Sequence, residues 1–138
     1  GNQRSYHLLI DGNNKPYIEI TTDGSTLVAN TATNALSSGT WYHIGATLNQ
    51  DTDQLQIYVN GAVGSASPTS FTNNIYNSTS GFTIGADDAG GSNQFDGLID
   101  EAIIWNTCLT AAEMAKVYNI TGYMAASGFS GVGDLKIF

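Results

Sequence analysis

Residues Gly81–Tyr118 read GFTIGADDAGGSNQFDGLIDEAIIWNTCLTAAEMAKVY. Four pieces follow in order: a strand over Gly81–Ala86, a polar glycine-rich loop over Asp87–Asp96, a strand over Gly97–Asn106, and a helix opening at Thr110. Thr110 as N-cap with Glu113 three residues on is a capping box, and Leu109 and Met114 stand at staple positions. Met114, Val117 and Tyr118 give the helix an apolar stripe, and Gly122 is a stop signal. The second strand is apolar nearly throughout (Leu98, Ile99, Ala102, Ile103, Ile104, Trp105), the pattern of a strand covered on both faces. Asp100 and Glu101 interrupt it, and a carboxylate there needs hydrogen bonds, a cation or water.

Upstream, the pattern has period two. Tyr42, Ile44, Ala46 and Leu48 alternate against Trp41, His43, Gly45, Thr47 and Asn49. In Gln54–Asn60, Leu55, Ile57 and Val59 point inward while Gln54, Gln56 and Tyr58 point outward. Asn60-Gly61 is a strong two-residue hairpin signal, because both central positions of such a turn need positive φ. Further upstream, Tyr6, Leu8 and Ile10 share a face, Asp11–Asn14 turns, Tyr17, Ile18 and Ile20 return, and Asp23-Gly24 turns before Leu27 and Val28. Ser65–Ser80 is a long polar loop, of a length often tied to function. Residues 1–122 read as one domain. Residues 123–138 read as a small-residue tail whose end, Asp134–Phe138, begins a possible closing strand.

Trp41-Tyr42-His43, Ile57-Tyr58-Val59-Asn60-Gly61, Ile84-Gly85, Gly97-Leu98-Ile99-Asp100-Glu101 and Leu109-Thr110-Ala111-Ala112-Glu113 occur in that order. This succession resembles the laminin-G-like and pentraxin-type domains of the concanavalin A-like lectin and glucanase superfamily. The resemblance covers roughly residues 39–118. It implies an all-β fold, an antiparallel jelly-roll β-sandwich with one short C-terminal helix. It also implies further strands ahead of Ser5, supplied by sequence outside these residues, by Asp134–Phe138 or by a neighbouring chain. An uncovered sandwich edge would favour oligomer formation.

Composition narrows the partners. At 138 residues, the chain is long enough for a real core. Four Lys and Arg stand against 12 Asp and Glu, a net charge of −8, so nucleic acid and anionic membrane surfaces are poor partners. Cys108 is the single cysteine, which rules out an intrachain disulfide. No apolar run is long enough for a membrane span and no signal peptide pattern stands before Gly1. The resemblance implies an extracellular place or one on a cell or virion surface.

The resemblance also implies a calcium loop at Asp87–Asp96, where Asp87, Asp88, Asn93 and Asp96 offer oxygens, with Asp100 as a further ligand. The plain alternatives are an acidic turn and a buried carboxylate accepting backbone N–H bonds. For a sugar, the candidate residues are Trp41, Tyr58 and Tyr76 as stacking rings, with Asn73, Asn74 and Asn77 to bond hydroxyls. The plain alternative for Trp41 and Tyr58 is core. His43 lacks a second ligand at metal spacing and reads as structural. Asn77 and Asn119 open N-x-S/T sequons, which matter only in a eukaryotic secretory pathway.

Glycanases of this superfamily set carboxylates on one strand face. Adjacent Asp100 and Glu101 on a strand point to opposite faces, so the expectation is no enzyme. Two functions remain open: a lectin-like module binding a glycan or cell-surface ligand, and a structural or decoration module of a surface or viral protein binding neighbouring protein chains.

Overall fold

The computed structural model describes residues 4–87, 93–126 and 136–137. The period-two segments form strands with the registers their apolar faces demand. Strands β1 (Tyr6–Ile10), β2 (Pro16–Thr21) and β3 (Leu27–Thr31) make a three-stranded antiparallel sheet in that order. Strands β4 (His43–Asn49) and β5 (Gln54–Val59) form the centre of the second sheet. The far edge of β5 is shared by two short strands, β6 (Ala62–Val63) and β7 (Thr69–Ser70). A last short strand, β8 (Lys136–Ile137), runs parallel to β4.

The two sheets face each other across Ile18, Ile20, Ile44, Leu55, Ile57 and Phe71, with Leu55 and Ile57 fully buried. Each such side chain contributes about 1.5–3 kcal/mol of burial free energy. Between β6 and β7 the edge of β5 would leave the Ile57 N–H bare. Asn30 of β3, 4% exposed, fills the gap. Its Oδ1 accepts from Ile57 N (2.8 Å) and Ser65 Oγ (2.8 Å), and its Nδ2 donates to Ser67 O (2.9 Å) and Thr69 Oγ1 (3.0 Å). One buried amide thus joins the two sheets and satisfies the ladder.

The helix α1 (Ala111–Ala126) starts where the capping box predicts. Thr110 N donates to Glu113 Oε2 (2.8 Å) and Glu113 N to Thr110 Oγ1 (3.2 Å). It runs four residues past the expected stop at Gly122. It lies on the outer face of β4–β5: Met114 is 2% exposed, and a Cβ on Gly45 would sit 2.7 Å from its sulfur. The Asn60-Gly61 turn has φ of 51° and 73°, the conformation expected of it.

One expectation is corrected. Gly81–Ala86 and Gly97–Asn106 are not strands; beyond a single bridge at Asp100 they are irregular. Positive φ at Gly85 (80°) and Glu101 (50°) breaks both runs. A strand is stable only when paired, and among the described residues these segments join neither sheet. Most of their apolar side chains consequently face outward, with Phe82 64%, Ile84 56%, Leu98 66% and Ile104 62% exposed, while Ile99 packs against the core.

A candidate ligand groove

Antiparallel register decides what lies outside the second sheet. Thr47 pairs with Gln56, Asn49 with Gln54 and Gly45 with Tyr58, so these residues share the face opposite the core. The helix covers the Gly45 end of that face. At the other end, the segment Cys108–Ala111 stands off the sheet and leaves a groove of about 220 Å³. Thr47, Asn49, Thr52, Gln54, Gln56 and Tyr58 line one side, with Pro68 and Cys108–Ala111 on the other. No lysine, arginine, histidine or carboxylate is among these lining residues.

The polar groups are held in place. Asn49 Oδ1 accepts from Asp51 N (2.9 Å) and Thr52 N (3.1 Å), which fixes the side chain and leaves its Nδ2 donors for another partner. Gln56 is anchored through Nε2 to Ser65 Oγ (2.7 Å) and Ile57 O (2.9 Å). Tyr58 is 6% exposed and lines the groove. Burial pushes the Cys108 thiol up, against a hydrogen bond from Thr47, and the carboxylates of Asp51 and Glu113 push the same way. The thiol is therefore neutral at pH 7, and the groove has an uncharged wall beside a negative rim.

The other sugar candidates are divided. Asn73 and Asn77 are exposed and Tyr76 is half-buried. Tyr76 N donates to Thr21 O (2.8 Å), and the ring lies over Gly24, where a Cβ would meet it at 3.0 Å. Asn74 accepts a long hydrogen bond from Gln50 (3.4 Å), so this arm reaches the β4–β5 turn whose Asn49 and Thr52 line the groove. Trp41 is half-buried and packs against the core cluster. His43 is buried with its ring 5.8 Å from that of Tyr118.

Of the expected calcium ligands, Asp88 lies outside the described residues. Asp96 is exposed and Asp100 half-buried. Asp87 Oδ1 lies 2.9 Å from Arg4 Nη2 and 3.6 Å from His7 Nε2, while its Oδ2 accepts from Asn93 Nδ2 (3.1 Å). Calcium is held by six to eight oxygens, whereas this carboxylate faces nitrogen donors. Among the described residues no group of three or more His, Cys, Asp or Glu is set to hold a metal ion. Among the described residues, the Asp87 carboxylate is thus engaged by Arg4 and Asn93.

The register was the signal that would have found the groove: Thr47 and Asn49 opposite Gln56 and Gln54 is an unusual run of neutral polar residues on a sheet face. Only Tyr58 of this set is named by the sequence pattern as a binding residue. Arg4 and His7 were invisible as neighbours of Asp87 because they are 83 and 80 residues away in sequence.

A laminin G family model, described as the concanavalin A-like lectin/glucanases superfamily, matches residues 1–115. The solved structure of residues 221–444 of an S-layer domain-containing protein from Clostridium thermocellum ATCC 27405 is similar at 23% identity, with a TM-score of 0.44. The match covers 86% of this chain and 58% of that one. A search of curated proteins gave no match.

Proposed function

We propose, from the premise that this chain belongs to the concanavalin A-like lectin/glucanase superfamily, that it is a non-catalytic module taking a neutral glycan in the groove between β4–β5 and Cys108–Ala111. The observation that carries this reading is the groove's lining of hydroxyls and amides beside one tyrosine, without a formal charge. Sugar hydroxyls both donate and accept, and Asn, Gln and Thr side chains do the same. Tyr58 adds the apolar surface against which the C–H face of a sugar ring packs. At about 220 Å³ the groove is smaller than the ~300–1,000 Å³ of drug-sized sites, which suits a terminal residue of a longer glycan. The arm carrying Asn73, Asn74, Tyr76 and Asn77 extends the contact from the neighbouring turn. The negative rim of Asp51 and Glu113 disfavours sialylated or sulfated chains. The place of action that fits such a module is an extracellular, cell or virion surface.

The superfamily's description covers lectins and glucanases alike, so the case against hydrolysis rests on this chain. Glycoside cleavage needs two carboxyl groups about 5–9.5 Å apart across one bond. The groove lining contains none. Asp100 and Glu101 sit on an irregular segment, with Glu101 in the left-handed region (φ 50°).

The test pairs Gln54→Ala and Asn49→Asp with Tyr76→Ala. The first two should abolish glycan binding at unchanged Tm, and Tyr76→Ala should weaken it. Undiminished binding by Gln54→Ala and Asn49→Asp would remove the groove from consideration.

A second reading has its own observation. Phe82, Ile84, Leu98, Ile103 and Ile104 are 42–66% exposed on neighbouring segments of sequence, more apolar surface than an isolated module normally displays. This favours a structural or assembly module whose partners are protein chains. Light scattering separates the two, since a monodisperse monomer across a wide concentration range counts against assembly between copies.

A further inference from the structure

The segment implied to be a calcium loop is tied to the first sheet by an internal cation. Arg4 stands just before β1. Its Nη1 donates to Glu19 Oε1 (2.9 Å) on β2, and its Nη2 lies 2.9 Å from Asp87 Oδ1. His7 of β1, paired across the ladder with Glu19, sits between the same carboxylates, with Nδ1 3.5 Å from Glu19 Oε1 and Nε2 3.6 Å from Asp87 Oδ1. The cluster is sheltered: the side chains of Glu19, Asp87 and His7 are 7%, 15% and 16% exposed, and Arg4 is 33% exposed.

We propose that Arg4 takes the place of a structural metal ion: it joins Glu19 of the sheet to Asp87 and holds Asp87 against the sheet without calcium. The chemistry fits. A guanidinium stays charged at any physiological pH and presents several N–H donors in a rigid fork, so one side chain can serve two carboxylates at once. Arg4 places one positive charge between the two carboxylates, and the His7 imidazole fills the space beside it. Burial of Glu19 and Asp87 would be unfavourable without such a partner. On the loop side, Asn93 Nδ2 bonds the second oxygen of Asp87, and Phe95 N donates to Gly85 O (2.9 Å), which closes the segment carrying Asp87. This inference is independent of the glycan reading.

The experiment combines thermal melts in calcium and in EDTA with amide hydrogen exchange on the full chain. Wild type should melt at the same temperature in both buffers. Arg4→Gln should melt lower, equally in both. Arg4→Lys, which keeps the charge but lacks the fork, should fall between them. Asp87→Asn leaves the Arg4–Glu19 pair intact and serves if Arg4→Gln does not fold. Loss of a charge-assisted hydrogen bond is about 1.5–3 kcal/mol, so exchange at Phe95 N–H should speed up by at least about tenfold in Asp87→Asn, with β4 and β5 amides unchanged. A rise in the wild-type melting temperature with calcium would overturn the proposal. So would unaltered Phe95 exchange in Asp87→Asn.

Discussion

Replacing Gly61 with alanine tests how α1 is seated. Two independent terms add at this position. The backbone φ is 73°, in the left-handed region, where an alanine costs about 1–2 kcal/mol. The new Cβ would also lie 2.8 Å from Tyr118 Cβ and 3.1 Å from Ala115 Cα. Neither atom is the free end of a flexible chain, so the helix itself must move, and such overpacking costs about 1–3 kcal/mol. The expected sum is about 2–5 kcal/mol. For a chain of this length each kcal/mol moves Tm by about 3–4 °C, which gives a fall of about 6–20 °C. Two controls separate the terms. Gly39 has φ 72° and nothing within 4 Å of its would-be Cβ, so Gly39→Ala reads the backbone term alone. Gly12 has open space and no positive φ, so Gly12→Ala should leave Tm within error. Differential scanning fluorimetry of the three variants gives the order Gly12, Gly39, Gly61. If Gly61→Ala falls no further than Gly39→Ala, the helix does not press on the turn and the reasoning fails.

Asn30→Ala removes the acceptor of Ile57 N–H and the donor to Ser67 O, and should lower stability by about 2–4 kcal/mol in urea with an unchanged m value; an unmoved midpoint would contradict the bridging role. Acid should unfold the chain by loss of held carboxylates. The carboxyl of Glu19 is held below its usual 4.5 mainly by the His7 imidazole 3.5 Å away and then by the hydrogen bond from Arg4, and Asp23 is lowered from 3.8 to about 2 by the Thr26 and Ser25 amides. A lowered folded pKa gives stability that is complete above the unfolded value and lost as pH falls through the folded one. Tm should therefore be flat from pH 7 to about 5 and fall from about 4.5 towards 2. Asp23→Asn, which keeps an acceptor but not the titration, should soften the lowest part of that fall. Modification of the Cys108 thiol by iodoacetamide should slow when a bound glycan fills the groove; an unchanged rate at saturation places the ligand elsewhere.

Local rules carried most of the fold. The alternation of Leu55 and Ile57 against Gln54 and Gln56 gave both a buried and an outward face, and Asn60-Gly61 and Thr110–Glu113 turned and capped the chain as their chemistry requires. The apolar run Gly97–Asn106 misled, because composition reports a wish to be buried on two faces and is silent on whether a neighbouring strand is there to pair with. Helix α1 passed Gly122 since a glycine weakens a helix by only about 1 kcal/mol and does not by itself end one. Sites were less legible. Tyr58 could be picked out as outward-facing, but its companions at Thr47, Asn49 and Gln54 emerge only from strand register, and Arg4 meets Asp87 only after the chain has folded.

The most direct measurement is a glycan-array screen of the folded chain in calcium buffer and after EDTA, with Gln54→Ala run beside wild type. The account predicts binding confined to neutral glycans, retained in EDTA and lost in Gln54→Ala. Binding that disappears with EDTA, or no binding by a chain with a cooperative melt, would contradict it.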